Sequence, residues 1–163
     1  LEERTHRFGL MRYEISSYAR PGFESRHNRR YWRRAPVLGI GMGAWSHDPP
    51  TQEARYGSRR GNCRDLATYL ERIEAGEPAD FELETLDAPT ARSESVFLGL
   101  RQVVGLAATD FEADFGAPPR QWFGAEIDEL LAADLLHESD GGDLSLTARG
   151  RLLADEVFQR FVA

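Results

Sequence analysis

The chain has 163 residues, 41% hydrophobic and 29% charged, which excludes a collagen-like, low-complexity or wholly disordered polymer. Its longest apolar runs, such as Val37 to Ile40, fall far short of the roughly 20 residues a membrane span needs, and Leu1-Glu2-Glu3-Arg4 does not open like a secretory leader. Cys63 is the only cysteine, so an intrachain disulfide, a zinc ribbon and a complete iron–sulfur ligand set are excluded as well. A soluble, cytoplasmic protein is expected, and a start at Leu1 inside a patterned segment reads as a piece of something larger.

The net charge of −7 hides an asymmetry. Residues 1–64 carry 13 Arg against 6 acids, whereas residues 65–163 carry 7 Arg against 21 acids, and Lys is absent throughout. An anionic partner would therefore meet the N-terminal third.

In chain order, Met11 to Tyr18 (MRYEISSY) predicts a short strand ended by the turn signal Ala19-Arg20-Pro21-Gly22. Glu14 and Ser16 share one face of that strand, either reaching a ligand cavity or forming its solvated surface. The basic stretch Phe23 to Arg34 follows. Val37 to Ala44 (VLGIGMGA) predicts a buried strand entering a tight loop, Asp48 to Thr51 an irregular connection, and Arg55 to Gly61 a further strand.

From Asn62 the pattern turns helical. Asn62, with Asp65 three residues on, predicts a helix cap, with Leu66, Tyr69, Leu70 and Ile73 inward and Gly76 as the stop. Phe81 to Leu86 predicts a linker or strand. Further helices are predicted from Thr90, with Val96, Phe97 and Leu100 inward, and around Phe111 and Phe115 up to Gly116. Another begins at Pro118-Pro119, with Trp122, Phe123, Ile127, Leu130 and Leu131 as its core face. A hairpin at Asp140-Gly141-Gly142-Asp143 and a last helix capped by Thr147, with Leu152, Leu153, Val157, Phe158 and Phe161 inward, complete a winged-helix-like order.

Two segments could carry chemistry. Gly39-Ile40-Gly41-Met42-Gly43-Ala44 can be written G-x-G-x-x-A, but Trp45 to Pro50, with two prolines, cannot open the helix a dinucleotide fingerprint requires. What remains is backbone, at Gly41, Gly43 and Trp45, held close to a ligand or to a neighbouring strand. The second segment is Gly22 to Arg34, with five Arg among positions 26 to 34 interleaved with His27, Tyr31 and Trp32. His27 and Tyr31 are four apart and share a face on a helix. An imidazole can ligate haem iron, Asn28 can orient it, aromatic rings stack on a porphyrin, and Arg26 and Arg30 can pair with propionates. A single-stranded nucleic acid would use the same residue types, and a solvated helix with a structural histidine remains the plain alternative.

Taken together, Tyr13-Glu14-Ile15-Ser16, Tyr18-Ala19-Arg20-Pro21-Gly22, His27-Asn28-x-x-Tyr31-Trp32 and Leu38-Gly39-Ile40-Gly41-x-Gly43-Ala44 closely resemble the oxygen-independent coproporphyrinogen III oxidase-like radical SAM family. The H-N-x-x-Y element resembles its haem chaperone (HemW-type) branch. The likeness continues through Asn62-Cys63-Arg64-Asp65, Phe97-Leu98-Gly99-Leu100-Arg101, Leu146-Thr147-x-x-Gly150 and Glu156-Val157-Phe158.

The resemblance implies an α+β chain. Residues 1–61 would form the end of a partial (β/α) radical SAM barrel, and residues 62–163 a mostly helical, winged-helix-like domain. It implies haem as ligand with His27 as iron ligand, delivery to a haem-acceptor protein, and porphyrin biosynthesis as the setting of the oxidase branch. The 4Fe-4S cluster and S-adenosylmethionine of such proteins belong to a C-x-x-x-C-x-x-C loop that this sequence lacks, so no catalytic residue is assigned. Ser17 stands where the family has Asn, and Trp45 where the oxidase branch has an aliphatic residue beside a second S-adenosylmethionine. Self-association through an exposed barrel remnant is expected. Nucleic-acid binding by the tail is not, because residues 117–163 hold 4 Arg against 9 acids.

Overall fold

A computed structural model describes residues 2–162. In chain order it contains α1 (Glu2–His6), β1 (Met11–Arg12), β2 (Tyr18–Ala19), α2 (Arg26–Trp32), β3 (Trp45–Asp48), β4 (Ser58–Asn62), α3 (Leu66–Glu74) and β5 (Asp80–Thr85). There follow α4 (Ala88–Arg101), α5 (Ala108–Phe115), α6 (Pro119–Ala132), β6 (Leu136–Glu138), β7 (Leu144–Leu146), α7 (Ala148–Leu152) and α8 (Ala154–Gln159). The α+β class is as expected, and the strands form three small antiparallel sheets with no closed barrel among the described residues. No described helix is long and apolar enough to cross a membrane.

The chain gathers into two compact units, residues 1–33 with 92–163 and residues 34–91. This grouping runs across the 1–61 and 62–163 division drawn from the sequence, because β4 ends at Asn62 and pairs with β5 beyond it.

The first unit carries the large side-chain core. Val96, Leu100, Phe111, Ile127, Leu144, Val157 and Phe161 are all essentially inaccessible. Helices α4, α5 and α6 supply much of it, each presenting apolar residues at helical spacing. Gly116, in the left-handed region at φ 80°, ends α5 where the sequence places its stop. Leu106 pairs with Leu144, so the order helix, bridge, two helices, hairpin is that of a winged helix.

Three expectations in this unit are corrected. Residues 11–18 are not one strand: β1 and β2 form a hairpin, and residues 13–15 bond instead to residues 101–103. The last helix breaks at Leu153 (φ −114°, ψ 29°) into α7 and α8, leaving Leu152 exposed. Trp122 is not core but half out in solvent, where Arg92 stacks 3.8 Å above its ring.

The second unit is a sheet in the order β3-β4-β5 with α3 following β4. Arg60 on the central strand forms ion pairs with both outer strands. Its guanidinium bonds both Asp48 oxygens, at 2.6 and 3.1 Å, and both Asp80 oxygens, at 3.0 and 2.9 Å. The Arg60 hydrogen bonds hold the Asp48 carboxyl below its usual range.

Here too the sequence pattern misleads. Residues 38–44 form a turn rather than a buried strand, with Leu38, Ile40 and Met42 exposed. The α3 cap is Asp65, whose carboxylate accepts from the Thr68 amide at 2.8 Å, while Asn62 ends β4. Leu66, Leu70 and Ile73 face solvent although they follow helical spacing, because α3 has no buried residue. Periodicity reports an apolar stripe, not what covers it.

His47 on β3 gives this unit a measurable pH response. Burial, then the charges of Arg34 and Arg59, push its imidazole below the ordinary range, against smaller opposing effects of the Ala35 backbone and Asp48. The unfolded chain titrates near pH 6.5, so below that the unfolded state takes up the proton first and stability falls with falling pH. In His47→Gln the urea midpoint should lose this component of its slope from pH 6.5 downward. An unchanged slope would assign the response elsewhere.

Candidate functional site

The basic stretch folds as the short helix α2. Ser25 caps it by accepting from the Asn28 amide at 3.2 Å, and Arg29 lies 3.6 Å from Glu24 before the first turn. His27 and Tyr31 do share a face: their rings meet edge to face with centroids 4.9 Å apart. Arg26, His27, Arg30 and Tyr31 are exposed, while Asn28 is half-buried. Four of the five residues predicted here thus line an accessible surface, with an imidazole among cations and an aromatic edge. Trp32 turns the other way, half-buried, with the Arg101 guanidinium 4.6 Å from its ring.

Gly41, Gly43 and Trp45 belong to the other unit. Gly41 (φ 105°) and Gly43 (φ 66°) need glycine for their conformation. The turn is held from outside: Asn62 Nδ2 donates to the Gly41 carbonyl at 2.8 Å, and the Gly39 amide donates to Ser46 Oγ at 3.0 Å. A Cβ on Gly39 would overlap the Trp45 backbone, so at Gly39 the close approach is to a neighbouring strand. Gly41, by contrast, has nothing within 4 Å of where a Cβ would stand. Trp45 lies over Gly61, where a Cβ would come within 3.0 Å of its ring.

Sequence reasoning missed the structural roles of four residues. Ser46, Asn62 and Gly61 shape the glycine turn, and their signal was their position opposite it across a strand pair, visible only after folding. The fourth is Glu14, which is 1% exposed. Its Oε1 accepts from both the amide and the hydroxyl of Ser16 at 2.8 Å, a local pairing that an acid two residues before a serine can signal. Burial opposes its ionisation, but hydrogen bonds from Ser17 and Ser16 and the charge of Arg101 outweigh it and hold the carboxyl below the usual range. Neither of the readings offered for Glu14, cavity ligand or surface acid, describes this buried position.

No group of three or more metal-ligating side chains occurs among the described residues. A 4Fe-4S cluster needs several thiolates, and Cys63 is alone and buried, its Sγ 3.8 Å from the Asp65 carbonyl. The residues present do not fit a cluster. On α6 the single arginine, Arg120, is engaged by Asp128 and Glu138 at 2.8 and 2.7 Å.

Residues 86–153 match the family described as the HemN C-terminal domain. The chain is similar to the "Heme chaperone HemW" of Bacillus subtilis, 32% identical over 157 residues that cover 94% of this chain and 38% of the relative. It is likewise similar to the "Heme chaperone HemW" of Mycobacterium tuberculosis, 36% identical over 149 residues covering 91% of this chain and 34% of the relative. The chain is HemW/HemN-like.

It spans well under half the length of these HemW relatives. The fold agrees with that of a solved HemN: the Escherichia coli coproporphyrinogen III oxidase, described as a radical SAM enzyme, superposes with a TM-score of 0.72. That superposition covers 99% of this chain and 39% of HemN at 18% identity.

Proposed function

We propose that this HemW/HemN-like chain binds haem on the exposed face of α2, as part of a haem chaperone that passes haem to an acceptor protein. The observation that carries the reading is the His27 imidazole, accessible on a capped helix with the Tyr31 ring beside it and Arg26 and Arg30 on the same segment. As cargo, haem would take His27 on its iron, Tyr31 against the macrocycle and the two arginines on its propionates, while Asn28 orients the imidazole. Gly41, Gly43 and Trp45, in the other unit, are proposed as a ligand contact in their own right. The intact H-N-x-x-Y element favours this over an oxidase's substrate-covering module.

A cytoplasmic location, and self-association through exposed apolar side chains of residues 1–61 such as Phe8, Phe23, Leu38 and Ile40, belong to the same proposal. Any radical SAM chemistry would reside in residues this sequence does not contain.

The test is a haem titration of the chain beside His27→Ala, followed through the Soret band. Saturable binding that weakens at least tenfold in the variant is expected, and it should weaken further as salt screens the arginines. Equal binding by both proteins would remove His27 from the site. No binding by either would refute haem binding by this chain.

A further inference from the structure

Helix α2 is poorly anchored for an element meant to hold a ligand in place. It has seven residues and no buried side chain, and a helix this short does not persist on its own. Phe23 before it and Tyr31 on it are exposed, which leaves Trp32 as its one sheltered apolar side chain. What shelters Trp32 is a cation. Arg101, the last residue of α4, lies 4.6 Å over the indole and 5.9 Å from the Phe158 ring, within reach of cation–π attraction to both. The indole Nε1 is buried without an acceptor among the described residues, so the ring face carries the contact rather than its N–H.

Arg101 in turn is held from behind. Its Nη2 is 3.8 Å from Oε2 of the buried Glu14, whose other oxygen is saturated by Ser16. The backbone locks the same place: the Ile15 amide donates to the Arg101 carbonyl at 3.0 Å, and Glu14 bridges to Gln102. A carboxylate kept away from water beside one guanidinium restricts where that guanidinium can lie.

We propose that Glu14 and Arg101 are positioning residues, a brace that sets the orientation of α2 through Trp32 and so presents His27 and Tyr31. Neither touches the ligand. This rests on the haem-binding reading of α2, and the two can fail separately.

The experiment compares the full chain with Arg101→Met, Arg101→Lys and Glu14→Gln by haem titration, and by amide hydrogen exchange without haem. Arg101→Met should weaken haem binding at least tenfold and speed exchange of the α2 amides at least tenfold, with α6 amides unchanged as the control for folding. Arg101→Lys keeps the charge facing Glu14 but loses the flat guanidinium on Trp32, and should recover part of the loss. Glu14→Gln, the milder change should Arg101→Met not fold, should weaken binding about threefold or more.

If the brace acts through His27, Arg101→Met adds less than twofold once His27 is alanine; a full, additive loss in that background would overturn the proposal. Unchanged α2 exchange, or faster exchange with haem affinity intact, would overturn it as well. Equal haem binding by wild type and His27→Ala would overturn the parent reading and the role assigned here to His27, while α2 exchange would still report on the brace itself.

Discussion

Replacing Gly105 with alanine should destabilise the first unit by about 3 kcal/mol, read as a lower urea midpoint with an unchanged m-value. Gly105 sits at φ +79°, a conformation that costs an L-residue roughly 1–2 kcal/mol. A Cβ there would also overlap the Leu144 carbonyl and approach the Ser145 side chain at 2.9 Å. That carbonyl cannot step aside, because it accepts from the Leu106 amide at 2.8 Å and belongs to the hairpin of β6 and β7. The two penalties have separate causes, conformation and overlap, so they should combine. Gly124→Ala provides the contrast: with nothing within 4 Å and no positive φ, it should change stability little or raise it. A Gly105→Ala chain as stable as wild type would mean that the turn into the bridge at Leu106 can rearrange without cost.

Phe111→Ala should cost a similar amount or more, about 3–5 kcal/mol. Phe111 is 1% exposed, and its ring lies 4.6 Å from that of Phe115 on the same helix. Truncation removes both the transfer free energy of the ring and the contacts of its neighbours across the cavity left behind. The matched control lies in the other unit: Phe81 is 70% exposed, so Phe81→Ala should shift the midpoint by no more than about 0.5 kcal/mol. Comparable losses from both substitutions would show that Phe81 is covered in solution, for instance by association. Running the pair at several protein concentrations separates that case from a monomeric one.

Several helices could be read from local chemistry alone. Stops at Gly76 and Gly116 follow from the freedom of glycine to take a left-handed conformation, and Thr147 caps α7 by accepting from the Gly150 amide at 2.9 Å. The inward sets of α4 and α5, Val96 with Leu100 and Phe111 with Phe115, were equally visible in their spacing. For the proposed ligand surface, the four-residue interval between His27 and Tyr31 sufficed to put the two rings together, because i and i+4 are neighbours on any helix.

Other features depended on partners distant in the chain. The same kind of spacing that buries Val96 and Leu100 leaves Leu66, Leu70 and Ile73 in water, since burial requires an opposing surface and α3 has none among the described residues. The apolar, glycine-punctuated run at 37–44 looked like a buried strand entering a tight loop, yet Asn62 and Ser46, contributed by β4 and β3, hold residues 38–44 as a turn.

By itself, then, the sequence determined the α+β class, the HemW/HemN likeness, the hairpin-containing tail and the face shared by His27 and Tyr31, all set by local propensity or by motifs read in order. Only the tertiary structure decided that Glu14 is buried and that Arg101 lies between it and Trp32. It also decided that Gly39 yields to the backbone of Trp45. The physical reason is common to all three: desolvation, stacking and steric exclusion act between groups far apart in sequence, and no local pattern encodes the distance between them.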